Sequence, residues 1–532
     1  MNYIDVQKSF WKGTLVISGA ALFVKVLSAF YRIPYQNIAG DLGLYVYQQV
    51  YPFYAIAFAL SLYGFPLMLS KIISENEKNQ VKNTLTTTFI GLSSFFILVF
   101  FLLYSTAPMI AEAMNDPLLV SPLRMSSYSF LFVPLLSVTR GYFQGQEDMT
   151  PTAISQVFEQ FVRVAMILLL TIWFVSQGAD RYLVGTAAVF GGLAGSLVSV
   201  IVLVLFLRKQ KLKMDTPEKV SFRETLTIMG TVLRGGIAIC ITAVMLALFQ
   251  LIDALQVVPG LQVSGMEVLD AKVYKGVYDR GQPLLQLGTV IATAMALPLI
   301  PFIAKSRQVK DDGQINTFAG LSLKFSFIIG GAAAVGLAVI IVPTNIFLYE
   351  DSNGSFALGI LGAAVFFGSL AITSSAVLQG LGKIGFPVLF ILLAMVLKAV
   401  LNSFLLPVYG ISGVALTTVI STAFVALFNL LVVQRLTYVF NVQRFYSGKV
   451  LVSLILMALT TFLWKELWFF LLPEGNRAAA GFTAVSSALV GAGVYVVALV
   501  YLNVWKYEEI VMLPKGKRLV KWFYKERSGE ND

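Results

Sequence analysis

Six basic side chains stand in or beside long apolar runs: Lys25, Arg32, Arg163, Arg234, Arg280 and Lys398. In KVLSAFYRIPYQNIAG (25–40), Lys25 and Arg32 are seven residues apart, about two helical turns, so they project from nearly the same face. Lys25, Arg163 and Lys398 each lie 11 to 12 residues into their helices, roughly 17 Å at 1.5 Å per residue and near a bilayer's centre. Arg234 is as deep if its helix begins near residue 224, and at the inner boundary if it begins near 228. A cation at that depth costs a few kcal/mol or more on an isolated helix, so it faces a wet cavity or a partner. The guanidinium fits phosphate oxygens geometrically, and the lysine ammonium acts as a point charge. Such a set can hold an anion part-way across a membrane. The competing reading for each residue is snorkelling or pairing with backbone carbonyls.

Few acids are placed to cancel these charges. Glu159 lies four residues before Arg163 on one helix face and is expected to neutralise it. Arg32 and Arg280 lie nearer the outer side, each beside an expected helix break, RIP at 32–34 and RGQP at 280–283. Asp279 and Asp253 are expected to offset them in part. About three uncompensated positive charges then remain in the core.

The elements that must position these residues are membrane helices. Of 532 residues 57% are hydrophobic and only 13% charged, about half the charged share of an average soluble protein. Apolar runs of 20 or more recur along the chain. The expectation is an all-α polytopic protein with about fourteen spans, near 14–39, 45–70, 84–110, 123–144, 152–176, 182–207, 228–252, 276–304, 318–343, 355–380, 386–406, 411–434, 449–472 and 480–505. MNYIDVQKSFWKGTLVISGAALF reads as the first helix rather than a removable leader, because no small-residue cleavage site ends its apolar run.

One set of alternate segments carries 27 Lys and Arg against eight on the other, which places both termini in the cytoplasm of a multi-pass plasma-membrane protein. The longest external loop is expected at 253–276. The net charge of +11 is therefore topology rather than a nucleic-acid signal. The tail, LPKGKRLVKWFYKERSGEND, reads as an ordinary positive-inside tail, with specific recognition of the anionic inner leaflet as the alternative.

The chain repeats itself. RGYFQGQEDMTPTAISQVFEQFVRVAM (140–166) parallels SAVLQGLGKIGFPVLFILLAMVLKAVL (375–401), with 19 residues from Gln144 to Arg163 and from Gln379 to Lys398. VGTAAVFGGLAGSLVSVIVLVLFLRK (184–209) likewise resembles SGVALTTVISTAFVALFNLLVVQR (412–435). The expected units are an N-lobe, 1–210, a C-lobe, 211–440, two further helices in 441–505, and a basic cytoplasmic tail, 506–532. Parallel six-helix repeats place substrate between the halves and alternate access by rocking.

Several chemistries are excluded. The chain has no histidine, which removes His proton relays, His metal sites and Ser-His-Asp triads. Its single Cys240 can form no internal disulfide. It has no phosphate-cradling GxxxxGK[ST] loop and no metal-ligand cluster, so no cofactor or metal is expected. The tyrosines of YVYQQVYPFYAIAF (45–58) read as an interfacial belt, with sugar stacking as the alternative.

The AFYRIPYQNIAG segment, the QG-x-x-P turns, YDRGQPLLQLG (278–288) and the fourteen helices resemble the polysaccharide biosynthesis/transporter family. The nearest likeness is to its stage V sporulation protein B type, related to MurJ-type lipid II flippases of the multidrug/oligosaccharidyl-lipid/polysaccharide exporter superfamily. This resemblance implies two lobes forming a V, a central cationic cavity, and flipping of a polyprenyl-diphosphate-linked saccharide. It implies partners in membrane lipids and cell-wall synthesis proteins, and no enzymatic activity. Lys25, Arg32 and Arg280 match that family's cations on helices 1 and 8. A further Arg near the end of helix 2 is not found, where GFPLMLSKIISE offers only Lys71. The last two helices imply a groove for the lipid tail.

Two other classes compete. A drug/cation antiporter of the same superfamily wants a buried acid, and the first helix has Lys25 instead. A membrane glycosyltransferase or polymerase wants acids in a sizeable loop, where only Glu267 and Asp270 stand.

Overall fold

A computed structural model describes residues 23–24, 26–75, 78–209, 222–437, 447–473 and 476–504. Regular structure among them is helical throughout. The first half comprises α1 (Arg32–Ala59), a π-helical turn (Leu60–Gly64), α2 (Phe65–Glu75), α3 (Lys78–Ala113), α4 (Val120–Ser127), α5 (Ser129–Gly145), α6 (Thr150–Ser176) and α7 (Arg181–Lys209). The rest comprises α8 (Phe222–Ala243), α9 (Met245–Val263), α10 (Val268–Asp279), α11 (Gly281–Gln308), α12 (Asp312–Tyr349), α13 (Ser355–Gly380), α14 (Gly385–Leu436), α15 (Ser447–Leu471) and α16 (Arg477–Tyr501).

Among the described residues eleven helices are long and apolar enough to cross a bilayer, or twelve if one bent pair counts as a span. They number fewer than the expected fourteen because two of them double back on themselves. Gly40 (φ 74°, ψ 177°) lies inside α1 and Gly410 (φ 56°, ψ −140°) inside α14, torsions that an L side chain rarely adopts. At the first reversal the Tyr35 hydroxyl donates to the Gly43 carbonyl at 3.1 Å, eight residues on. At the second, a Cβ on Gly413 would sit 2.4 Å from the Leu405 carbonyl oxygen.

The expected loop at 253–276 is largely helix. α9 runs to Val263 and α10 starts at Val268, leaving a turn of four residues. Its Asp253, Lys272 and Lys275 read as loop residues because they are charged, but they are buried. The break expected at RGQP is only a one-residue irregularity, with Arg280 retaining helical torsions. A bend of 44° follows instead between Val290 and Ala292.

In the first half α6 packs on α7, and in the second α13 packs on α14. α8 crosses from the second half to lie against α2, α3 and the π-helical turn. There a Cβ on Gly64 would meet the Gly236 carbonyl oxygen at 2.5 Å, so only glycine permits the approach.

The turns near Gly40, 114–118, 264–267 and 350–354 gather at one end of the molecule, called here the Gly40 end. The ion pairs between the halves, among the described residues, lie there. Arg280 joins Asp41, and Lys272 joins Asp116 at 2.9 Å.

Candidate functional site

The reversal at Gly40 lays the two arms of α1 side by side, bringing the hydroxyls of Tyr31 and Tyr47 to 2.6 Å. On the second arm aromatic rings recur at 47, 51, 54 and 58, the three-and-four spacing that lines one helix face. Their centres are 6.1, 6.4 and 6.1 Å apart in turn. Tyr47, Tyr51 and Tyr54 are buried, so the expected interfacial belt is instead an internal wall.

Two arginines rest on that wall. Arg32 is fully buried, its guanidinium carbon 4.3 Å from the Tyr51 ring centre and 5.7 Å from that of Tyr31. Arg163, from α6, lies 4.3 Å from Tyr54, 5.5 Å from Tyr31 and 5.8 Å from Tyr51. Its Nη2 donates to the hydroxyls of Tyr31 at 3.1 Å and Tyr47 at 2.9 Å. The two cations thus share the rings of Tyr31 and Tyr51.

No carboxylate among the described residues forms an ion pair with either. None of Arg32's three nitrogens has a hydrogen-bond partner among the described residues, nor has Arg163 Nε. A desolvated cation–π contact contributes about 2 kcal/mol, whereas removing each ion from water costs several. The shortfall is what an oxyanion between the two guanidiniums would offset.

The other expected site residues are arranged differently. Glu159 does not neutralise Arg163. It turns to Arg140 at 2.6 Å and accepts from Ser196 at 3.2 Å. A pair four residues apart on one helix loses here to a planar donor held opposite by α5. Asp279 pairs with Lys275 at 2.5 Å rather than with Arg32 or Arg280. Arg280 is clamped by two carboxylates, Asp41 at 2.6 and 2.8 Å and Asp351 at 2.7 and 2.8 Å, which leaves it no open fork for phosphate in this conformation. Lys398 is fully buried but bound to Asp253 at 2.8 Å, so this acid does not offset Arg32 or Arg280. Arg234 is exposed on α8, apart from the buried cluster. Lys25 and the basic tail lie outside the described residues. Glu267 and Asp270 are exposed at the start of α10 and do not converge with the buried acids.

Asp351 lies in the turn between α12 and α13. Burial alone would raise its carboxyl, but hydrogen bonds and charge from Arg280 outweigh this and hold it below its ordinary value.

The tyrosines carry a sequence signal beyond the repeat noted above. VYQQVYP (46–52) aligns with VYDRGQP (277–283), placing Tyr47 against Tyr278 and Gln49 against Arg280. Arg163 and Lys398 are matched by the 19-residue spacing. Each half therefore has a cation from its fifth helix beside a tyrosine from its second. In the first half the third contact is the phenol of Tyr31; in the second it is the carboxylate of Asp253, which also accepts from Tyr278 at 3.3 Å.

A second feature is apolar. A groove of about 830 Å³ is lined by Leu284 and Leu287 of α11, Ile328 and Ala332 of α12, and Gly491 and Tyr495 of α16.

The model of the polysaccharide biosynthesis protein family matches residues 10–307. The chain belongs to that family. Relatives within it include the uncharacterized membrane protein YabM of Bacillus subtilis, 38% identical over 96% of each chain. The lipid II flippase MurJ of the same organism is 28% identical, covering 91% of this chain and 94% of its own. Stage V sporulation protein B, also from B. subtilis, is 25% identical over 97% and 99%.

Among solved structures, lipid II flippase MurJ in an inward closed conformation superposes with a TM-score of 0.67 at 16% identity, covering 93% of this chain and 98% of its own. An inward-facing multidrug resistance MATE transporter of the MOP superfamily gives 0.59, also at 16%, over 79% and 93%. These likenesses establish a MurJ/MATE-type fold, as the family resemblance implied, and a multi-pass membrane protein.

Proposed function

We propose that this chain flips a polyprenyl-diphosphate-linked saccharide, a cell-wall or polysaccharide precursor, across the plasma membrane. Arg32 and Arg163 are the residues assigned to the diphosphate. The observation that carries this reading is a pair of buried guanidiniums on shared tyrosine rings that form no ion pair with a carboxylate among the described residues. A phosphate about 4 Å from one guanidinium gains roughly 4 kcal/mol at an effective dielectric of 20, enough to offset much of its own transfer into the membrane. The saccharide rides between the halves, and the groove beside α11, α12 and α16 takes the polyprenyl chain. The relatedness to a protein named as a lipid II flippase supports the class of substrate.

The two halves act as rocking lobes. The Lys and Arg bias puts the Gly40 end outside. Arg280 with Asp41 and Asp351, and Lys272 with Asp116, then close the outer side until the loaded lobes separate. A cation antiporter would need an uncompensated buried acid. The buried acids Asp116, Glu159, Asp253 and Asp279 each have a basic partner.

The test is transbilayer movement of a fluorescent undecaprenyl-diphosphate-sugar in liposomes holding the purified chain. Arg32→Gln and Arg163→Gln should each slow it at least tenfold while the protein stays folded. Unchanged movement in both variants would refute the assignment of the site.

A further inference from the structure

Lys398 was expected to hold substrate, yet its ammonium is already fully coordinated. It is completely buried, and three oxygens surround Nζ: Asp253 Oδ1 at 2.8 Å, Thr418 Oγ1 at 2.7 Å and Thr417 Oγ1 at 3.3 Å. An ammonium has three N–H donors, so each finds one acceptor. Each threonine hydroxyl has an acceptor other than Lys398 for its single proton, Val414 O at 2.8 Å or Asn402 Oδ1 at 2.5 Å for Thr417 and Val414 O at 3.0 Å or the Tyr278 hydroxyl for Thr418, which leaves a lone pair of each for Nζ.

A second ring of contacts holds these oxygens in place. Asn402 donates to Asp253 Oδ1 at 3.2 Å and to Gln256 Oε1 at 3.1 Å, and its own Oδ1 accepts from Thr417 at 2.5 Å. The Tyr278 hydroxyl bridges Asp253 Oδ2 and Thr418. α9, α10 and both arms of α14 therefore meet at one positive charge.

A carboxylate and two hydroxyls around a single charge, with a carboxamide behind them, form the hard oxygen set that a small inorganic cation takes. Coupling cations in transporters of this architecture sit at mid-membrane between such helices. We infer that Lys398 is a tethered cation. Its ammonium occupies an oxygen-lined monovalent-cation site, so α9, α10 and α14 stay joined without a bound inorganic ion. Replacing the ammonium by an uncharged chain of similar length frees the cage for a hard monovalent cation such as Na⁺. In the first half, Arg163 has phenols at the matching positions and stays open to an anion.

The experiment compares thermal unfolding of the purified full chain, wild type and Lys398→Met, in choline, sodium, lithium and potassium chloride at equal ionic strength. Wild type should unfold at the same temperature in choline and sodium. Lys398→Met should unfold lower in choline and recover by several degrees, saturably, as sodium replaces it. Asp253→Asn combined with Lys398→Met should fold and show no such recovery, because the cage has lost its charge. A Lys398→Met protein that folds but ignores all three metal cations would overturn the inference. So would a wild type stabilised by sodium in a manner abolished by Asp253→Asn, which remains decisive even if Lys398→Met cannot be purified. No saccharide enters the measurement, so its outcome is independent of the flippase reading.

Discussion

Placing a carboxylate beside Arg163 should separate stability from transport. Gln160 is buried, lies three residues before Arg163 on α6, and its amide nitrogen has no hydrogen-bond partner among the described residues. Gln160→Glu adds a negative charge with almost no change in volume. Residues three apart on a helix have Cβ atoms about 5–6 Å apart, and at about 6 Å with an effective dielectric of 20 the new charge attracts the guanidinium by roughly 3 kcal/mol. The same charge repels a diphosphate seated there by a comparable amount, about a hundredfold in affinity at 1.4 kcal/mol per tenfold. Folding stability should therefore hold or rise while flipping falls by about two orders of magnitude. The assay is the liposome flipping measurement run beside thermal unfolding, with Gln160→Met as the neutral control that keeps most activity. A Gln160→Glu protein that flips like wild type would show that the diphosphate does not sit on Arg163. Loss of stability together with flipping would show that Arg163 is not the unpaired charge described here.

Other outcomes follow from the remaining contacts. Arg140→Met strands Glu159 in the core and should cost about 3–5 kcal/mol of stability, with much of it returned by adding Glu159→Met, as a double-mutant cycle in thermal unfolding would show. Gly276→Ala drives a Cβ to 2.2 Å from the Asp41 carbonyl oxygen and should wedge the Gly40 end apart, read as faster hydrogen exchange in 264–280 and in 40–47. Asp351 is held below its ordinary value of 3.8 by Arg280, so its contribution is present above 3.8 and is lost only as pH falls through the lower folded value. Unfolding followed from pH 6 to pH 3 should thus show a loss in wild type, confined to the acid end, that is missing from Asp351→Asn.

The cations themselves were readable because charge within an apolar run is rare. Arg32, Arg163 and Lys398 were singled out on that ground, and all three are deeply buried. Their division of labour was not readable. Arg32 and Arg163 share rings that the sequence scatters over positions 31 to 54, brought together only by the reversal at Gly40. The tyrosines looked like an interfacial belt because a hydropathy window registers depth and not which way a helix face turns. Glu159 looked like the partner of Arg163 because helical spacing finds neighbours on one helix and is blind to Arg140 on the next.

By itself, the sequence determined the all-helical membrane class, the internal repeat and the presence of buried positive charge. Each is a property of composition or of spacing along the chain, and a bilayer enforces it locally by excluding unpaired backbone and charge. Only the tertiary structure decided which charges are spent. Arg280 is neutralised by Asp41, 239 residues away, and by Asp351, 71 residues away. An ion pair depends on atoms a few ångströms apart, a separation that chain position does not encode. The same repeat position thus holds a guanidinium bonded to a phenol, Tyr31, in one half and an ammonium bonded to a carboxylate, Asp253, in the other.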